Sequence, residues 1–108
     1  MSPAARAGAI AIATELPGPK SRELLAERRR WVSAAVSEAR HGVFFDRAEG
    51  ARIVDVDGNV CLDFAGGIGC MNAGHSAPRV MADARAQMEK LKHACFMVAP
   101  YEPYVALA

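Results

Sequence analysis

The residues able to do chemistry in this chain are few, and several of them gather around one glycine-rich stretch. That stretch is Leu62–His75, LDFAGGIGCMNAGH, with four glycines in fourteen residues. Glycine at such density marks a backbone that turns tightly or lets something approach closely. Asp55, Asp57, Cys61, Asp63, Cys70 and His75 lie in it or just before it, and His41, His93, Cys95, Lys20, Lys90 and Lys92 lie farther off. Histidine and cysteine together could hold zinc, but the spacings of His41, His75, His93, Cys61, Cys70 and Cys95 fit no common zinc pattern. No metal ligand is assigned. His75 reads as a residue that orders the loop, and His93 as one at a helix C-terminus.

Phosphate-binding and nucleophilic chemistry find no better footing. GIGCMN, Gly67 to Asn72, has the first two positions of a dinucleotide fingerprint and follows a strand. Asn72 stands where the third glycine belongs, and no helix begins at the second. A Walker loop is excluded, because no Gly-Lys-Ser/Thr occurs. Cys70 has only Gly69 and Met71 beside it and no positive charge to make it reactive, so it reads as a small packing residue. Asp55, Asp57 and Asp63 read as solvent-facing and turn residues, and no Ser-His-Asp set can be assigned.

The elements that must position these groups follow from periodicity. Residues 1–18 are rich in Ala, Gly and Pro and have no clear period, which reads as a disordered or loosely docked leader. PGPKS then punctuates the start of a helix, with Ser21 as its expected N-cap. Leu24, Leu25, Trp31, Val32, Ala35 and Val36 fall near one helical face, and Arg28, Arg29 and Arg30 form a solvated flank beside Glu27. After Gly42 the period becomes two. Val54 and Val56 share one face, Val60, Leu62 and Phe64 share another, and Asp57-Gly58-Asn59 between them predicts a β-hairpin with positive φ near Gly58. Arg47–Gly50 reads as a turn that starts the first strand. Beyond the glycines, Ser76 and Pro78 open a second helix carrying Val80, Met81, Ala84, Met88 and Leu91, with Lys90, Lys92 and His93 at its end. ACFMV, residues 94–98, reads as a short apolar segment expected to form a strand.

The predicted fold class is therefore α/β, in the order helix, β-hairpin, Gly-rich loop, helix, short strand. This order buries little by itself, so a covering surface is expected outside these residues. A formal net charge of +1 gives no reason to expect nucleic acid or an anionic membrane surface. The longest apolar runs are too short to span a bilayer. Three irregularly spaced cysteines suggest no disulfide framework, which makes a reducing cytoplasm the expected compartment.

Three stretches then carry a resemblance: GPKSRELLAERR, DRAEGARIVDVDGNVCLDFAGGIGCMNAGH and HACFMVAPYEPY. They resemble the N-terminal region of class III pyridoxal-phosphate-dependent aminotransferases, nearest to the 4-aminobutyrate branch. The pattern D-x-x-G-N-x-x-x-D-F-A-G-G-I from Asp55 to Ile68, and N-x-G-H from Asn72 to His75, give it its specificity. It implies residues 19–108 as the N-terminal segment of a fold-type I transferase, incomplete without its large domain and truncated before the cofactor-binding part. It implies that the loop after the hairpin passes over the substrate side of the cofactor. Ile68 matches the family position that borders the amino-acid substrate, and Met97 matches another position near that pocket, where relatives often carry glutamine. Ser37–His41 and Ala77 are further departures. The cofactor implied for the complete enzyme is pyridoxal 5'-phosphate. Its Schiff-base lysine, acidic partner and phosphate ligands come later in the family, so no catalytic or cofactor-binding residue is assigned here, and Lys20, Lys90 and Lys92 do not match the lysine.

The implied reaction moves an amino group from 4-aminobutyrate, or a similar omega-amino acid, to 2-oxoglutarate, with ornithine, diaminobutyrate and 5-aminovalerate as other donors in view. The implied partners are amino-acid and 2-oxoacid substrates and a second copy in a homodimer, without nucleic acid or membrane. A non-catalytic interaction or dimerisation segment is the alternative of a different kind.

Overall fold

In the computed structural model, residues 10–37 and 39–108 are described; residues 1–9, half of the leader expected over residues 1–18, lie outside them. The chain divides into two units between Ser76 and Ala77.

In the first unit the period-two region forms a three-stranded antiparallel sheet in the order β1-β2-β3. The strands are β1 (Phe45–Glu49), β2 (Arg52–Asp55) and β3 (Val60–Leu62). The β2–β3 hairpin is the expected one, paired Arg52 to Leu62 and Val54 to Val60, with φ of 90° at Gly58. β1 corrects the expected turn at Arg47–Gly50. Arg47, Ala48 and Glu49 pair with Val54, Ile53 and Arg52, and the chain reverses at Gly50-Ala51 instead. Phe45–Glu49 shows no apolar alternation because most of the strand is exposed, so the usual strand signal is missing. β2 and β3 are also shorter than expected: Val56 belongs to the turn, and Phe64 lies beyond β3.

Among the described residues no apolar side chain is buried; the buried ones are Ser21, Asp55 and Asn59. This corrects the solvent-facing reading of Asp55. Its Oδ1 accepts the Asn59 and Asp57 backbone amides at 2.7 and 2.9 Å, and its Oδ2 accepts Asn59 Nδ2 at 2.6 Å. Asn59 Nδ2 also donates to Thr14 Oγ1 at 2.9 Å, and Asn59 Oδ1 accepts the Ala13 and Thr14 amides at 2.7 and 2.9 Å. Both donors and both lone-pair sites of the Asn59 amide are thereby used. Ala11 adds a two-bond bridge to Val60 on the outer edge of β3.

Helix α1 (Pro19–Trp31) begins after Gly18, with Pro19 at its first position. Ser21 is not the N-cap. Proline supplies the fixed φ and lacks the N–H that the first turn would leave unpaired, which places Ser21 inside the helix. The cap comes from the hairpin turn: the Asp57 carboxylate accepts the Lys20 and Ser21 amides at 2.8 and 3.0 Å and the Ser21 hydroxyl at 2.7 Å. A Cβ at Gly18 would run into that carboxylate. The helix stops at Trp31, earlier than the apolar face suggested, and the Arg28 guanidinium donates to the Val36 and Ser37 carbonyls in the chain that follows.

The second unit holds α3 (Pro78–Lys90) and α4 (Glu102–Leu107). Ala77, not Ser76, is the N-cap of α3; Ser76 is the last residue of the first unit, has φ of 52°, and donates its hydroxyl to the Ala48 carbonyl of that same unit at 3.0 Å. The short strand expected over residues 94–98 is instead a turn, in which the Val98 and Ala99 amides both donate to the Cys95 carbonyl at 2.8 Å. The Phe96 ring meets Tyr101 edge-on at 5.4 Å and Tyr104 at 4.5 Å. No strand in the unit offers a ladder, and this local aromatic contact closes the turn.

Replacing Asn59 by alanine would take from the buried Asp55 its Oδ2 partner and from the half-buried Thr14 its amide partner. Asn59→Ala is expected to cost roughly 2–4 kcal/mol in urea titration; a change within error of zero would show that the polar cluster does not hold the unit.

Candidate functional site

The glycine stretch leaves β3 at Leu62 and returns to the sheet at His75. Both ends dock on the same reversal, Gly50-Ala51. The Asp63 amide donates to the Ala51 carbonyl at 2.8 Å, and Gly50 and His75 exchange two backbone bonds of 2.9 and 2.8 Å. Gly74 lies so close to this turn that a Cβ there would stand 3.1 Å from the Gly50 Cα, and its φ is 81°. Gly74 is thus a glycine for space and for conformation together.

Side chains close the same neck. Asp63 Oδ2 lies 2.6 Å from His75 Nε2, both side chains being largely covered. Asp63 Oδ1 accepts the Ala65 and Gly66 amides at 3.0 and 2.9 Å, an Asx-type turn that opens the glycine run. The expected loop-ordering part of His75 is present, and the solvent-facing reading of Asp63 is corrected. The His75 ring and the Gly66 amide, followed by that of Ala65, hold the Asp63 carboxyl below its ordinary value against the partial loss of water. At Asp57, desolvation raises the carboxyl, but the Ser21 hydroxyl and the Lys20 and Ser21 amides outweigh it and hold the group low as well.

Above this neck sits α2 (Gly66–Gly69), a single turn that is helical in its bonding but not in the usual hand. The Gly69 amide donates to Ala65 at 3.2 Å and the Met71 amide to Gly66 at 2.9 Å. All four residues have positive φ: 52° at Gly66, 60° at Gly67, 58° at Ile68 and 83° at Gly69. Three glycines take this conformation freely. Ile68, at φ 58° and ψ 50°, does not, since a left-handed helical residue with a Cβ costs roughly 1–2 kcal/mol and β-branched residues resist it most. Its side chain is 95% exposed, so packing within the chain does not compensate the strain.

Of the two residues expected to border a substrate, Ile68 thus crowns the left-handed turn of the first unit. Met97 lies on the Phe96–Val98 turn of the second unit, 92% exposed. The sequence reading gave Asp63 no partner, and it gave Gly50 and Gly74 no part in closing the loop. An aspartate three residues ahead of a glycine run is a readable Asx signal, whereas its bond to His75 spans twelve residues and leaves no local mark. Cys70 is exposed, contrary to a packing role within the chain. A groove of about 620 Å³ elsewhere in the first unit is lined by Lys20, Glu23, Leu24, Glu27, Asp46 and Val56. Three carboxylates against one ammonium make it unfavourable to a phosphate.

Residues 33–108 match the family model described as aminotransferase class-III. The chain belongs to the class-III aminotransferases. It is 46% identical over 87 residues to the 4-aminobutyrate aminotransferase GabT of Escherichia coli (strain K12), covering 81% of this chain and 20% of that protein. It is 43% identical over 89 residues to the 5-aminovalerate aminotransferase DavT of Pseudomonas putida, covering 82% and 21%. Its fold is similar to that of an ornithine aminotransferase from Toxoplasma gondii, a crystal structure with partial occupancy of PLP at the active site. There the TM-score is 0.60 and the identity 31%, over 66% of this chain and 16% of that one. The chain thus spans about a fifth of the length of the curated relatives it matches.

Asp57 and Asp63 both sit below the ordinary value of 3.8. Their contribution to stability is complete above that value and disappears as the pH falls below it through the folded-state values. Below pH 3.8 the urea midpoint of the wild-type protein is expected to fall more steeply with acidification than that of Asp57→Asn, which carries no titrating group at the helix start; parallel slopes would contradict the cap.

Proposed function

We propose that this chain serves an enzyme that moves an amino group from 4-aminobutyrate, or a similar omega-amino acid, to 2-oxoglutarate, with pyridoxal 5'-phosphate as cofactor. The observation that carries this reading is the 46% identity to a 4-aminobutyrate aminotransferase over 87 residues. In a chain of 108 residues, a continuous stretch of that length includes the glycine turn and its neck. A longer donor is the second reading, favoured by the 43% identity to a 5-aminovalerate aminotransferase. A homodimer acting in the cytoplasm on amino-acid and 2-oxoacid substrates completes the proposal.

The described residues do not themselves fit the phosphate and aldehyde of this cofactor. Lys20 stands beside Glu23, Glu27 and Asp46 in the open groove. Lys90 and Lys92 are exposed at and just beyond the end of α3. None has the covered, pre-oriented setting that a covalent lysine needs. What these residues supply is a wall for the substrate. Ile68 presents an aliphatic face on a turn whose other members lack side chains, which suits the methylene chain of an omega-amino acid. In the second unit, Met97 offers an exposed, flexible thioether and is proposed in its own right as a substrate-bordering residue.

The glycine substitution at the strained position separates wall from core. Ile68→Gly should leave stability unchanged or raise it by up to about 1 kcal/mol, since relief of the left-handed strain is offset only by backbone entropy. In the protein as its gene encodes it, the same change should lower kcat/KM for 4-aminobutyrate about tenfold. Unaltered kinetics with a loss of several kcal/mol would make Ile68 an ordinary packing residue. No glutamate formed from 2-oxoglutarate with 4-aminobutyrate, 5-aminovalerate or ornithine would end the enzymatic reading.

A further inference from the structure

We propose that Asp63 and His75 are positioning residues that fix the left-handed turn, and through it the face that Ile68 turns to the amino donor. The proposal rests on the reading that Ile68 borders the substrate, and it assigns to two polar residues the control of that border.

Three observations carry it. First, the two ends of the loop dock on adjacent residues of one β-turn: Asp63 on Ala51 by its amide, His75 on Gly50 by two backbone bonds. The loop therefore has a neck, at which both of its ends are fixed. Second, the Asp63 carboxylate joins the two features that matter. One oxygen lies 2.6 Å from His75 Nε2 at the neck, and the other takes the Ala65 and Gly66 amides, where the turn begins. Holding the Gly66 amide fixes the direction in which the chain enters the turn and so its hand. Third, no apolar packing among the described residues holds the crown. Phe64 and Ile68 are 93% and 95% exposed, and no apolar side chain among the described residues is buried. A β-branched residue in the left-handed region returns to its preferred conformation unless its surroundings prevent it. In this loop the restraint is polar, and its centre is Asp63.

The substitutions sort by which bonds they remove. Asp63→Ala removes both the neck contact and the Asx turn, and His75→Ala removes the neck contact alone. Asp63→Asn keeps an acceptor for Ala65 and Gly66 and an amide that can donate to an imidazole nitrogen, so it is the rescue.

The test uses the protein as its gene encodes it and two readouts. Hydrogen exchange is followed at the Gly69 and Met71 amides, which bond to Ala65 and Gly66 rather than to Asp63. The ratio of kcat/KM for 4-aminobutyrate to that for 5-aminovalerate is measured in parallel. Exchange at Gly69 and Met71 should rise about tenfold in Asp63→Ala, less in His75→Ala, and return toward wild type in Asp63→Asn. The donor ratio should move toward unity in the same order. Protection at Ala13, Thr14 and Asn59 reports that the sheet is folded; if Asp63→Ala loses it, His75→Ala carries the test. Unchanged exchange at Gly69 and Met71 overturns the clamp. Faster exchange with an unchanged donor ratio overturns the positioning role: if Ile68→Gly still shifts the ratio, the reading of Ile68 survives, and if it does not, that reading falls too.

Discussion

Among the described residues, the first unit buries polar side chains and no apolar ones, so polar groups hold it together. Asp55, Asn59 and Ser21 are its buried side chains, and one pentad, Asp55-Val56-Asp57-Gly58-Asn59, supplies most of the bonds. Asp55 closes the turn on itself, Asp57 caps α1 from 36 residues away, and Asn59 docks the chain at Ala13 and Thr14. Away from water each such bond is worth more than at the surface, and each unpaired group costs more. The arrangement is therefore close to all-or-none: a hairpin whose turn is correct brings the helix start and the N-terminal segment with it.

The loop that carries the proposed substrate wall obeys the same constraint one strand further on. It is pinned at the Gly50-Ala51 reversal and by Asp63, and its crown is free of packing. Exposed apolar side chains such as Phe64 and Ile68 ordinarily cost solubility, and a left-handed isoleucine costs conformational energy as well. Both costs fall in one turn. Concentrated strain of this kind is characteristic of sites where geometry is set for a ligand rather than for stability. The membership of the chain in the class-III aminotransferases, and the glycine-lined approach that the turn provides, point in the same direction.

Much of this was legible in the sequence because it is local. The β2–β3 hairpin, the positive φ at Gly58, the tight glycine turn and the loop-ordering part of His75 follow from spacing and turn chemistry. The family resemblance rested on the same motif that builds the sheet. What was not legible depends on distant partners. Asp57 and Ser21 meet across 36 residues, and Asp63 and His75 across twelve, so Ser21 looked like a cap and the aspartates looked like solvent-facing and turn residues without distant partners. β1 was missed because most of it is exposed and its pattern does not alternate. Residues 94–98 are apolar enough for a strand, but Phe96 meets Tyr101 and Tyr104 and closes a turn instead. The left-handed conformation of Ile68 itself had no signal, since nothing in a lone isoleucine announces it, and the glycines around it announce only a tight turn.

The most direct test of the central claim, that a polar neck holds Ile68 in a left-handed turn against the amino donor, is a crystal structure. The crystal would contain the protein as its gene encodes it with an unreactive 4-aminobutyrate analogue. The Ile68 side chain should lie within about 4 Å of the methylene carbons of the analogue, with its φ still positive and the Asp63–His75 contact closed. An Ile68 with negative φ, or one packed only against protein while the analogue binds elsewhere, would contradict it.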